Sequence, residues 1–550
     1  MEIRPNVMIP PCCWRVPKAR AARILPIIVL SCLMAACSAL PKDYARTESR
    51  AWDKPGETVL GRALAPRLAG HPEDSGFYLL SSGLDAFAAR VLLAEAAQKT
   101  IDVQYYIFHA DLTGKFLLDR MLAAADRGVR VRLLIDDMYT AGKDRTIAAL
   151  ASHPNFNIRV FNPFAGRSAF SRLFDWFSDF SRVNRRMHNK MFVVDGAAGI
   201  AGGRNVGDEY FAAREDVNFA DLDLLVVGPV VRELGAAFDA YWNSASAYPI
   251  EAFVPDKPTP GELESVSRAL AAHREASRDT PYAVRVREAD LVESLRKGRL
   301  PFFWGPARVV YDQPGKIAND GPVPEEETWW GSLRNQVGKV RSEMILVSPY
   351  FVPGARVVAQ FGKMRKDGVR IRILTNSLAS NDVPSVHSGY RKYREAMLRE
   401  GVELYEVRPV LEPPAEERDK ARKRFGSSGA SLHAKTLVFD RRTVFVGSAN
   451  LDPRSARLNT ELGIVVTSPE LARQVAVIFE AGTGPKYSFR LALERESPAP
   501  GEPGESPAKR IVWITEENGK EVVFHDEPYA TFWKKLSTGI QSLFVSESLL

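Results

Sequence analysis

Cysteine is scarce in this chain and is confined to one end of it. The 550 residues include four cysteines, and all of them lie within the first 37 positions: Cys12, Cys13, Cys32 and Cys37. A chain that begins at Cys37 would keep one cysteine and could form no internal disulfide. It also lacks Cys/His spacings typical of metal sites, so we expect no disulfide framework, no metal and no other cofactor.

Long apolar runs are equally scarce. The one such run near the N-terminus, residues 24–36, has thirteen residues, fewer than the roughly 20 that a membrane-spanning helix needs. It follows the cationic stretch Arg15–Arg23 and ends in small residues just before Cys37. This order is typical of an exported precursor. We therefore predict a lipoprotein-type signal peptide over residues 1–36 and a lipid on Cys37.

An uncleaved anchor helix is the alternative interpretation, and Pro26 disfavours it because proline interrupts a continuous helix. If Cys37 is lipidated, residue Ser38 is relevant to sorting. By resemblance to bacterial sorting rules, a residue other than Asp at this position favours the outer membrane over the inner one. The expected location is the cell envelope, facing the periplasm.

A strong charge of one sign is also missing. The formal net charge is +7, but the first 36 residues hold five Lys or Arg and one Glu, which leaves +3 for the remainder. Such a balance does not indicate a nucleic-acid surface. We expect no nucleic-acid partner.

The chain does contain a duplicated motif. The first copy of His-x-Lys-x₄-Asp consists of His188, Lys190 and Asp195 and is followed by Gly202, Gly203 and Asn205. The second copy consists of His433, Lys435 and Asp440 and is followed by Gly447, Ser448 and Asn450. Six residues separate the Asp from the first Gly in both copies. Identical spacing in two distant places indicates a duplicated catalytic unit.

These residue types suit reactions of a phosphodiester. One imidazole can attack phosphorus, and a second can protonate the departing oxygen. Lysine and amide groups can hold the non-bridging oxygens, where negative charge must be stabilised. His188 and Lys190 are two residues apart, so they face the same side of a strand.

The order of predicted elements also repeats. In each half a helix, a strand and a second helix lead to a Gly-Val-Arg-x-Arg strand, at Gly128 in the first half and Gly368 in the second. The two glycines are 240 residues apart and the two motif histidines 245 apart, so the halves are in register apart from a short insertion. Strands that alternate with helices predict an α/β unit with a largely parallel sheet in each half.

The paired motifs resemble those of the phospholipase D superfamily, and further stretches resemble its bacterial cardiolipin synthase branch, of the C type. Those stretches are residues 188–191 (HNKM), 202–210 (GGRNVGDEY), 348–354 (SPYFVPG), 375–383 (TNSLASNDV) and 446–459 (VGSANLDPRSARLN). The resemblance covers nearly all of the chain after the leader. It implies two homologous α/β units related by a pseudo-twofold axis, with one active site built from both.

The resemblance also implies roles. His188 would be the nucleophile that forms a phosphohistidine, and His433 the general acid and base. Lys190, Lys435, Asn205 and Asn450 would bind phosphate oxygens. Asp195 and Asp440 complete the catalytic motifs, where they either orient the site or only stabilise it. Glu461, grouped with the substrate-binding residues, is a candidate to hold an imidazole in one tautomer, and its counterpart is Asp221 or Asp223.

Three functions compete. The first is transphosphatidylation of phospholipids, above all cardiolipin synthesis. The second is hydrolysis of phospholipids by water, and the third is an exported nuclease of the same superfamily. An expected lipid anchor favours phospholipids and a membrane surface as partners, while the oligomeric state stays open. The predicted organisation is a tether (37–80), first domain (81–250), linker (251–322), second domain (323–485) and C-terminal hairpin with amphipathic helix (486–550).

One segment before the first motif combines aromatic and basic residues. It runs from Arg167 to Arg186 and contains Phe170, Leu173, Phe174, Trp176, Phe177 and Phe180. The sequence leaves two interpretations open: a helix packed into the core, or an interface with lipid. A second apolar face, with Phe532, Leu536, Ile540, Leu543 and Phe544, is expected to dock on the body of the protein.

Overall fold

The computed structural model describes residues 40–214, 218–318, 323–409, 430–495, 509–536 and 538. The predicted leader, Cys37, the Pro/Gly-rich stretch after residue 495 and the end of the C-terminal apolar face lie outside these residues. The described chain forms two α/β units, each built on one mixed sheet with helices against it.

The first unit and the segment that follows it contain ten strands and ten helices. The strands are β1 (Ser75–Leu80), β2 (Thr100–Tyr105), β3 (Arg130–Asp136), β4 (Phe156–Phe161), β5 (Met191–Val194), β6 (Ala198–Gly202), β7 (Asn218–Ala220), β8 (Asp223–Val227), β9 (Ala247–Pro249) and β10 (Phe303–Gly305). The helices are α1 (Val59–Ala69), α2 (Gly83–Ala96), α3 (Leu112–Asp126), α4 (Asp144–Ala151), α5 (Ala169–Ser178), α6 (Phe180–Val183), α7 (Val230–Trp242), α8 (Pro260–Ser277), α9 (Pro281–Arg287) and α10 (Asp290–Arg296).

The second unit repeats the pattern and extends it. Its strands are β11 (Ala307–Tyr311), β12 (Glu343–Val347), β13 (Arg370–Asn376), β14 (Glu403–Val407), β15 (Ala430–Leu432), β16 (Thr436–Phe439), β17 (Thr443–Gly447), β18 (Leu462–Thr467), β19 (Ser488–Arg495), β20 (Lys509–Glu517) and β21 (Lys520–Phe524). Its helices are α11 (Trp329–Val337), α12 (Gly354–Lys366), α13 (Pro384–Arg391), α14 (Arg394–Arg399), α15 (Pro453–Arg457) and α16 (Pro469–Gly482). Short 3-10 turns, including one at Asp137–Tyr139, complete the described structure.

The prediction of largely parallel sheets is wrong. The first sheet has the order β10-β1-β8-β6-β5-β2-β3-β4-β9, and the second β11-β18-β17-β16-β12-β13-β14-β19-β20-β21. Only β2-β3-β4 and β12-β13-β14 run parallel within them. Helical crossovers join those strands, whereas tight turns join β5 to β6 and β16 to β17, and a tight turn forces antiparallel pairing.

The predicted domain limits differ from the sheets at two places. The segment predicted as a tether ends in α1 and β1, and β1 pairs with β8 inside the first sheet. The predicted linker gives β10 to the first sheet and β11 to the second. These strands add to sheet edges whose backbone groups would otherwise be unpaired. The linker also contains the helix α10.

A shared apolar core holds the units together. It joins buried residues of the first sheet, such as Ala201 and Leu224, to residues of the second, such as Val446 and Ile464. Helices α7 and α16 contribute to the same core. Burying apolar area from both units makes the interface resemble a domain core, so we expect the units to move as one body.

The C-terminal hairpin is confirmed as β20 and β21, joined at Asn518 and Gly519, which both have positive φ. The apolar face expected to dock behaves differently at its start. Phe532 is 70% exposed and Leu536 is also exposed, and the contact of this segment with the body is made by Lys534, which donates to the carbonyls of Ala379 and Asn381. None of the helices in the described residues combines the length and the apolar character that crossing a membrane requires.

Candidate active site

Two short parallel bridges between the units position the motif histidines. Met187 pairs with Thr460 across the interface, and the next residues along the two segments are His188 and Glu461. In the same way β15 pairs with β7, with Leu432 opposite Ala220, and the next residues are His433 and Asp221. Each bridge therefore brings a histidine from one unit against a carboxylate from the other.

Each of the two histidines forms a hydrogen bond with its carboxylate partner. Nδ1 of His188 lies 2.9 Å from Oε2 of Glu461, and Nδ1 of His433 lies 2.6 Å from Oδ2 of Asp221. Because the carboxylates accept, Nδ1 of each ring is the donor, and the lone pair of a neutral ring lies on Nε2. Neither unit contains a complete pair, so the site exists only when both units are folded together.

The protonation of the pairs follows from burial. Burial, opposed by the charge of Glu461, lowers the pKa of His188 to about 4. Burial and the charge of Lys435 lower the pKa of His433 to about 3. Burial alone would raise the pKa of Asp221, but His433 and nearby cations lower it to about 2. Both rings are thus neutral near pH 7 and can accept a proton or attack through Nε2.

Of the two predicted counterparts of Glu461, the structure selects Asp221. Asp223 lies two residues further and forms buried ion pairs with Arg90 and Arg204 instead. The carboxylate of Asp221 fits here because residue 203 is a glycine. A Cβ at this position would lie 2.1 Å from Oδ1 of Asp221 and would clash with it. Glu461 was also a candidate to hold an imidazole in one tautomer, and its contact with His188 agrees with that role; its grouping with the substrate-binding residues stays a prediction.

Ser448 takes the place of Gly203 in the second unit, and its side chain contacts the other carboxylate, Glu461. Its hydroxyl donates to Glu461, and the hydroxyl of Ser455 donates to the other carboxylate oxygen at 2.7 Å. Glu461 is therefore held by two hydroxyls as well as by His188. Sequence reasoning missed Ser455, although it lies in the 446–459 stretch that was singled out.

Two lysines lie beside the histidines. Nζ of Lys190 donates to the carbonyl of His188 at 2.6 Å, and Nζ of Lys435 donates to the carbonyl of His433. Burial is the main cause that lowers the pKa of Lys190 to about 7 and that of Lys435 to about 8. The negative charge of a bound phosphate would raise the pKa of both lysines and so favour their charged ammonium forms.

The two motif asparagines differ in their contacts. Asn205 accepts from the amide of Ile107 at 3.2 Å and donates to the hydroxyl of Tyr210 at 3.0 Å. Asn450 is buried, and its Oδ1 has no hydrogen-bond partner among the described residues. An unpaired buried acceptor costs free energy and suits a donor on a ligand, such as an alcohol hydroxyl, whereas Nδ2 of the same side chain is the group that could donate to a phosphate oxygen.

The motif aspartates do not reach the histidines. Strand β5 separates Asp195 from His188, seven residues along the chain, which corresponds to about 20 Å. Asp195 accepts from the amides of Lys99 and Thr100 at 2.7 and 2.9 Å. Asp440 accepts in the same way from the amides at 341–343. The catalytic grouping of these residues is corrected: of the two predicted roles, they stabilise the turns at the far ends of the motif strands.

Aromatic rings form the rim of the site. The ring of Tyr106 lies edge-on to His188 with centroids 5.1 Å apart, and Tyr210 and Phe219 each lie 5.2 Å from His433. Tyr350 lies beneath Nζ of Lys435 and donates to Asp382 at 2.7 Å. Tyr210, Tyr350 and Asp382 occur in stretches that the sequence marked without giving them roles, whereas Tyr106 had no signal.

The helix next to the first motif places its apolar residues outwards. Phe170, Leu173, Phe174 and Phe177 on α5 are exposed, with Phe177 at 77%. They follow the spacing of one helical face. The polar residues Arg172 and Asp175 face inwards and are buried. The interpretation of this segment as core is therefore wrong for these four residues.

The basic residues around α5 do not line that apolar face. Arg167 binds Asp137 and Asp144 at 2.6 Å, and Arg172 binds Asp137 at 3.0 Å. These ion pairs fix α5 on the turn that ends at Tyr139. The ring of Tyr139 contacts Tyr106, which in turn contacts His188. The buried side of α5 is thus linked through Tyr139 and Tyr106 to His188.

The geometry defines a class of enzyme. Two neutral imidazoles with carboxylate partners, two buried lysines and an unpartnered amide are suited to transfer of a phosphodiester through a covalent histidine intermediate. Among the residues that the structure describes, no group of three or more His, Cys, Asp or Glu side chains could hold a metal ion.

Comparison with known proteins supports this class of enzyme and assigns the chain to one family within it. The family described as "Cardiolipin synthase, PLD-like domain" matches residues 92–242 and 333–482, one match in each unit. The chain belongs to this phospholipase D-like cardiolipin synthase family. It is 40% identical to cardiolipin synthase C of Escherichia coli K12 over 89% of this chain and 99% of that protein.

More distant relatives agree with the assignment. Cardiolipin synthase A of Pseudomonas entomophila is 26% identical over 73% of this chain and 67% of its own length. The crystal structure of phosphatidylserine synthase from Haemophilus influenzae Rd KW20 has a TM-score of 0.50 at 15% identity and covers 75% of this chain and 87% of that chain. The structural match shows the same fold.

Proposed function

We propose that this protein is a phosphatidyltransferase that makes cardiolipin by transphosphatidylation of phospholipids. The observation that carries the proposal is the match to cardiolipin synthase C over almost the whole of both chains. The crossed pairs His188–Glu461 and His433–Asp221 give the proposal a mechanism. Such an enzyme takes part in phospholipid biosynthesis and acts where its lipid substrates are, at a membrane.

In the first step His188 is the nucleophile. Its Nε2 attacks phosphorus, a phosphorus–nitrogen bond forms, and the bond from phosphorus to the headgroup oxygen breaks. His433 gives its proton to that oxygen, so the headgroup leaves as a neutral alcohol. The phosphate anion favours the protonated form of His433, because opposite charge raises the pKa of an imidazole.

In the second step the hydroxyl of another phospholipid headgroup gives its proton to His433. Its oxygen attacks phosphorus, and the bond to His188 breaks. Lys190, Lys435, Asn205 and Asn450 hold the non-bridging oxygens through both steps. Water can follow the same route and would give phosphatidic acid, so the acceptor determines whether the reaction is transfer or hydrolysis.

Product analysis tests the proposal. Purified protein is incubated with vesicles of phosphatidylglycerol, and the products are identified by mass spectrometry. We expect cardiolipin together with free glycerol. Phosphatidic acid as the main product at all acceptor concentrations would make the protein a hydrolase instead.

We further propose that the apolar face of α5 rests on the membrane. Four adjacent exposed apolar side chains are rare on a soluble surface and are suited to an interface with lipid. Because Arg172 holds α5 on the turn that ends at Tyr139, a bilayer on this face would lie near the site and limit the access of water.

Replacing Phe174, Trp176 and Phe177 together by serine should lower cardiolipin formation on vesicles by about tenfold or more, because each buried apolar group contributes roughly 25 cal/mol per Å² to docking. Hydrolysis of a short-chain soluble phospholipid should change little. Val477→Ser, another exposed apolar position, is the matched control. An equal fall in both activities of a variant with normal thermal melting would exclude α5 from membrane docking.

The proposed location is the periplasmic side of the cell envelope, with a lipid on Cys37 and the outer membrane as the destination. The cationic stretch, short apolar run and small residues before Cys37 support this. The intact mass of the cell-extracted protein decides it, since a lipidated chain beginning at Cys37 differs from a full-length one. A chain that keeps residues 1–36 would refute the anchor.

A further inference from the structure

The second unit contains a large cavity that opens beside the reaction centre. Its volume is about 1080 Å³, and Asn450 of the second motif forms part of its wall. The remaining wall is mainly apolar and comes from α11, α12 and the loop after Asn450, including Trp329, Trp330, Leu333, Val357, Phe361 and Leu451. A cavity of this size and composition is typical of a ligand site.

The cavity is elongated along the sheet. It also reaches Met344 and Phe439, which pair with each other at one end of β12. At the other end of β12, Val347 pairs with Thr436, the residue after Lys435. Phe439 and Thr436 are three strand residues apart, which corresponds to about 10 Å. The cavity wall therefore extends from Asn450 of the second motif to the far end of the motif strand.

In the first unit, aromatic rings among the described residues pack at the corresponding place. There α2 and α3 occupy the positions that α11 and α12 occupy in the second unit. Phe87 on α2 contacts Phe116 on α3, Phe211 and Tyr282, with ring centroids 5.4 to 5.9 Å apart. Tyr282 comes from α9 of the connecting segment. The duplicated fold is thus filled on one side and open on the other.

Two buried polar atoms in the cavity wall have no hydrogen-bond partner in the part of the chain that the structure describes. They are Oδ1 of Asn450 and Nε1 of Trp329. Exposed cationic side chains, Arg356 and Arg457, lie on the same wall. The wall carries six Lys or Arg residues against three acidic ones, Glu325, Asp367 and Asp452. An apolar channel with this excess of cations matches an anionic molecule that carries a long hydrocarbon chain.

We propose that this cavity binds one acyl chain of the phospholipid whose phosphate reacts at the site. The inference rests on the proposed function, because the group bonded to His188 between the two steps would be a phosphatidyl group. A chain held in the cavity would keep that group in place while one headgroup leaves and the next arrives. Because the cavity lies in the second unit, the acyl chain of the reacting lipid would be bound by that unit.

Filling the cavity tests the inference. The variant Val357→Trp with Met364→Trp places bulk in the channel without changing a motif residue. Loss of a few methylene contacts should lower kcat/KM for dipalmitoyl phosphatidylglycerol in detergent micelles by about tenfold or more. Turnover of dihexanoyl phosphatidylglycerol should stay within about twofold of the unmodified protein, because its short chains do not reach the filled part.

The matched control is Val477→Trp, which adds the same bulk on the exposed side of α16. It should leave the ratio of the two activities unchanged. A variant with normal thermal melting and equal losses on both lipids, or with no loss on either, would overturn the inference.

A binding measurement separates this inference from the proposed function. The variant His188→Ala is titrated with phosphatidylglycerol brominated along one acyl chain, and tryptophan fluorescence is recorded. Bromine in the cavity should quench Trp329 and Trp330, and replacing both by Phe should remove that part of the quenching. Quenching without cardiolipin formation by the unmodified protein would keep the chain site and refute the synthase. Quenching that is unchanged by the Phe replacements would refute the chain site alone.

Discussion

Replacing His188 or His433 by alanine should reduce the rate of cardiolipin formation by about 10⁴-fold or more. One imidazole bonds to phosphorus and the other transfers the proton, and no neighbouring group can replace either of them. The double variant should be no slower than either single one, since both rings act in one reaction centre. Product formation is followed by mass spectrometry at matched protein concentrations.

An activated leaving group should distinguish the two histidines. A phosphatidyl ester of p-nitrophenol loses its headgroup as a stable phenolate and needs little help from a general acid. His433→Ala should release p-nitrophenol from this substrate and accumulate a phosphatidyl adduct, because no base remains to activate the acceptor. His188→Ala should release none. The adduct is measured as an increase in the intact mass of the protein.

The opposite result would exchange the roles. An adduct in His188→Ala and none in His433→Ala would make His433 the nucleophile and leave the shared site intact. Near-normal activity of either variant with the natural substrate would refute the shared site itself. Thermal melting of each variant controls for unfolding, which is relevant because both rings are buried.

The sequence was sufficient to predict the duplicated unit, which the family matches at residues 92–242 and 333–482 confirm. Spacing of His, Lys and Asn is a local property, and two strands with equal spacing must present those groups in equal ways. The structure places His188 with Lys190, and His433 with Lys435, at one end of their strands as the period of a strand requires.

Contacts between the units could not be read from the sequence in the same way. His188 and Glu461 are 273 positions apart, and His433 and Asp221 are 212 apart. Their meeting depends on two bridges of a few residues between the units, which have no periodicity to reveal them. The sequence therefore could not decide between Asp221 and Asp223, which are two residues apart.

Membership of a motif was a poor guide to role for the aspartates. Asp195 and Asp440 follow the motif strands at φ values of 54 and 52°, a left-handed backbone that Asp tolerates better than most residues. Their carboxylates bind amide groups of the segment before the neighbouring strand. The fixed spacing of the motif thus reflects the length of the strand as well as the chemistry.

The apolar face of α5 illustrates the opposite limit. An amphipathic pattern gives the two faces of a helix but not which of them points inwards. Here Arg172 donates to Asp137 and Asp175 accepts from the amide of Gly166, so the polar face is the buried one. Only the positions of Asp137 and the amide of Gly166 decide this, and they are tertiary information.

The carboxylate partners carry the second large effect. Glu461→Gln and Asp221→Asn should each lower kcat by on the order of 10²- to 10⁴-fold, because an amide neither fixes the tautomer of the ring nor stabilises its cation. Both variants should fold, since an amide oxygen can still accept from Nδ1.

The two variants should differ in how kcat depends on pH. Removing the negative charge of Asp221 lowers the pKa of His433 further, so less of this ring is protonated at a given pH and the alkaline limb moves to lower pH. Removing the charge of Glu461 lowers the pKa of His188, so the ring stays neutral to lower pH and the acid limb moves down. Each variant therefore reports the role of its own histidine.

Asp440→Asn is the matched control for this experiment. It replaces a motif carboxylate that accepts from backbone amides at the far end of β16 and touches neither histidine. Weaker acceptance of these amides should lower the melting temperature, while both limbs of the pH profile should stay in place. If Asp440→Asn moved a limb as Asp221→Asn does, the motif aspartate would act on the histidines after all. If Asp221→Asn and Glu461→Gln left both limbs unchanged, the crossed pairs would be structural, and the mechanism would need another source of the proton.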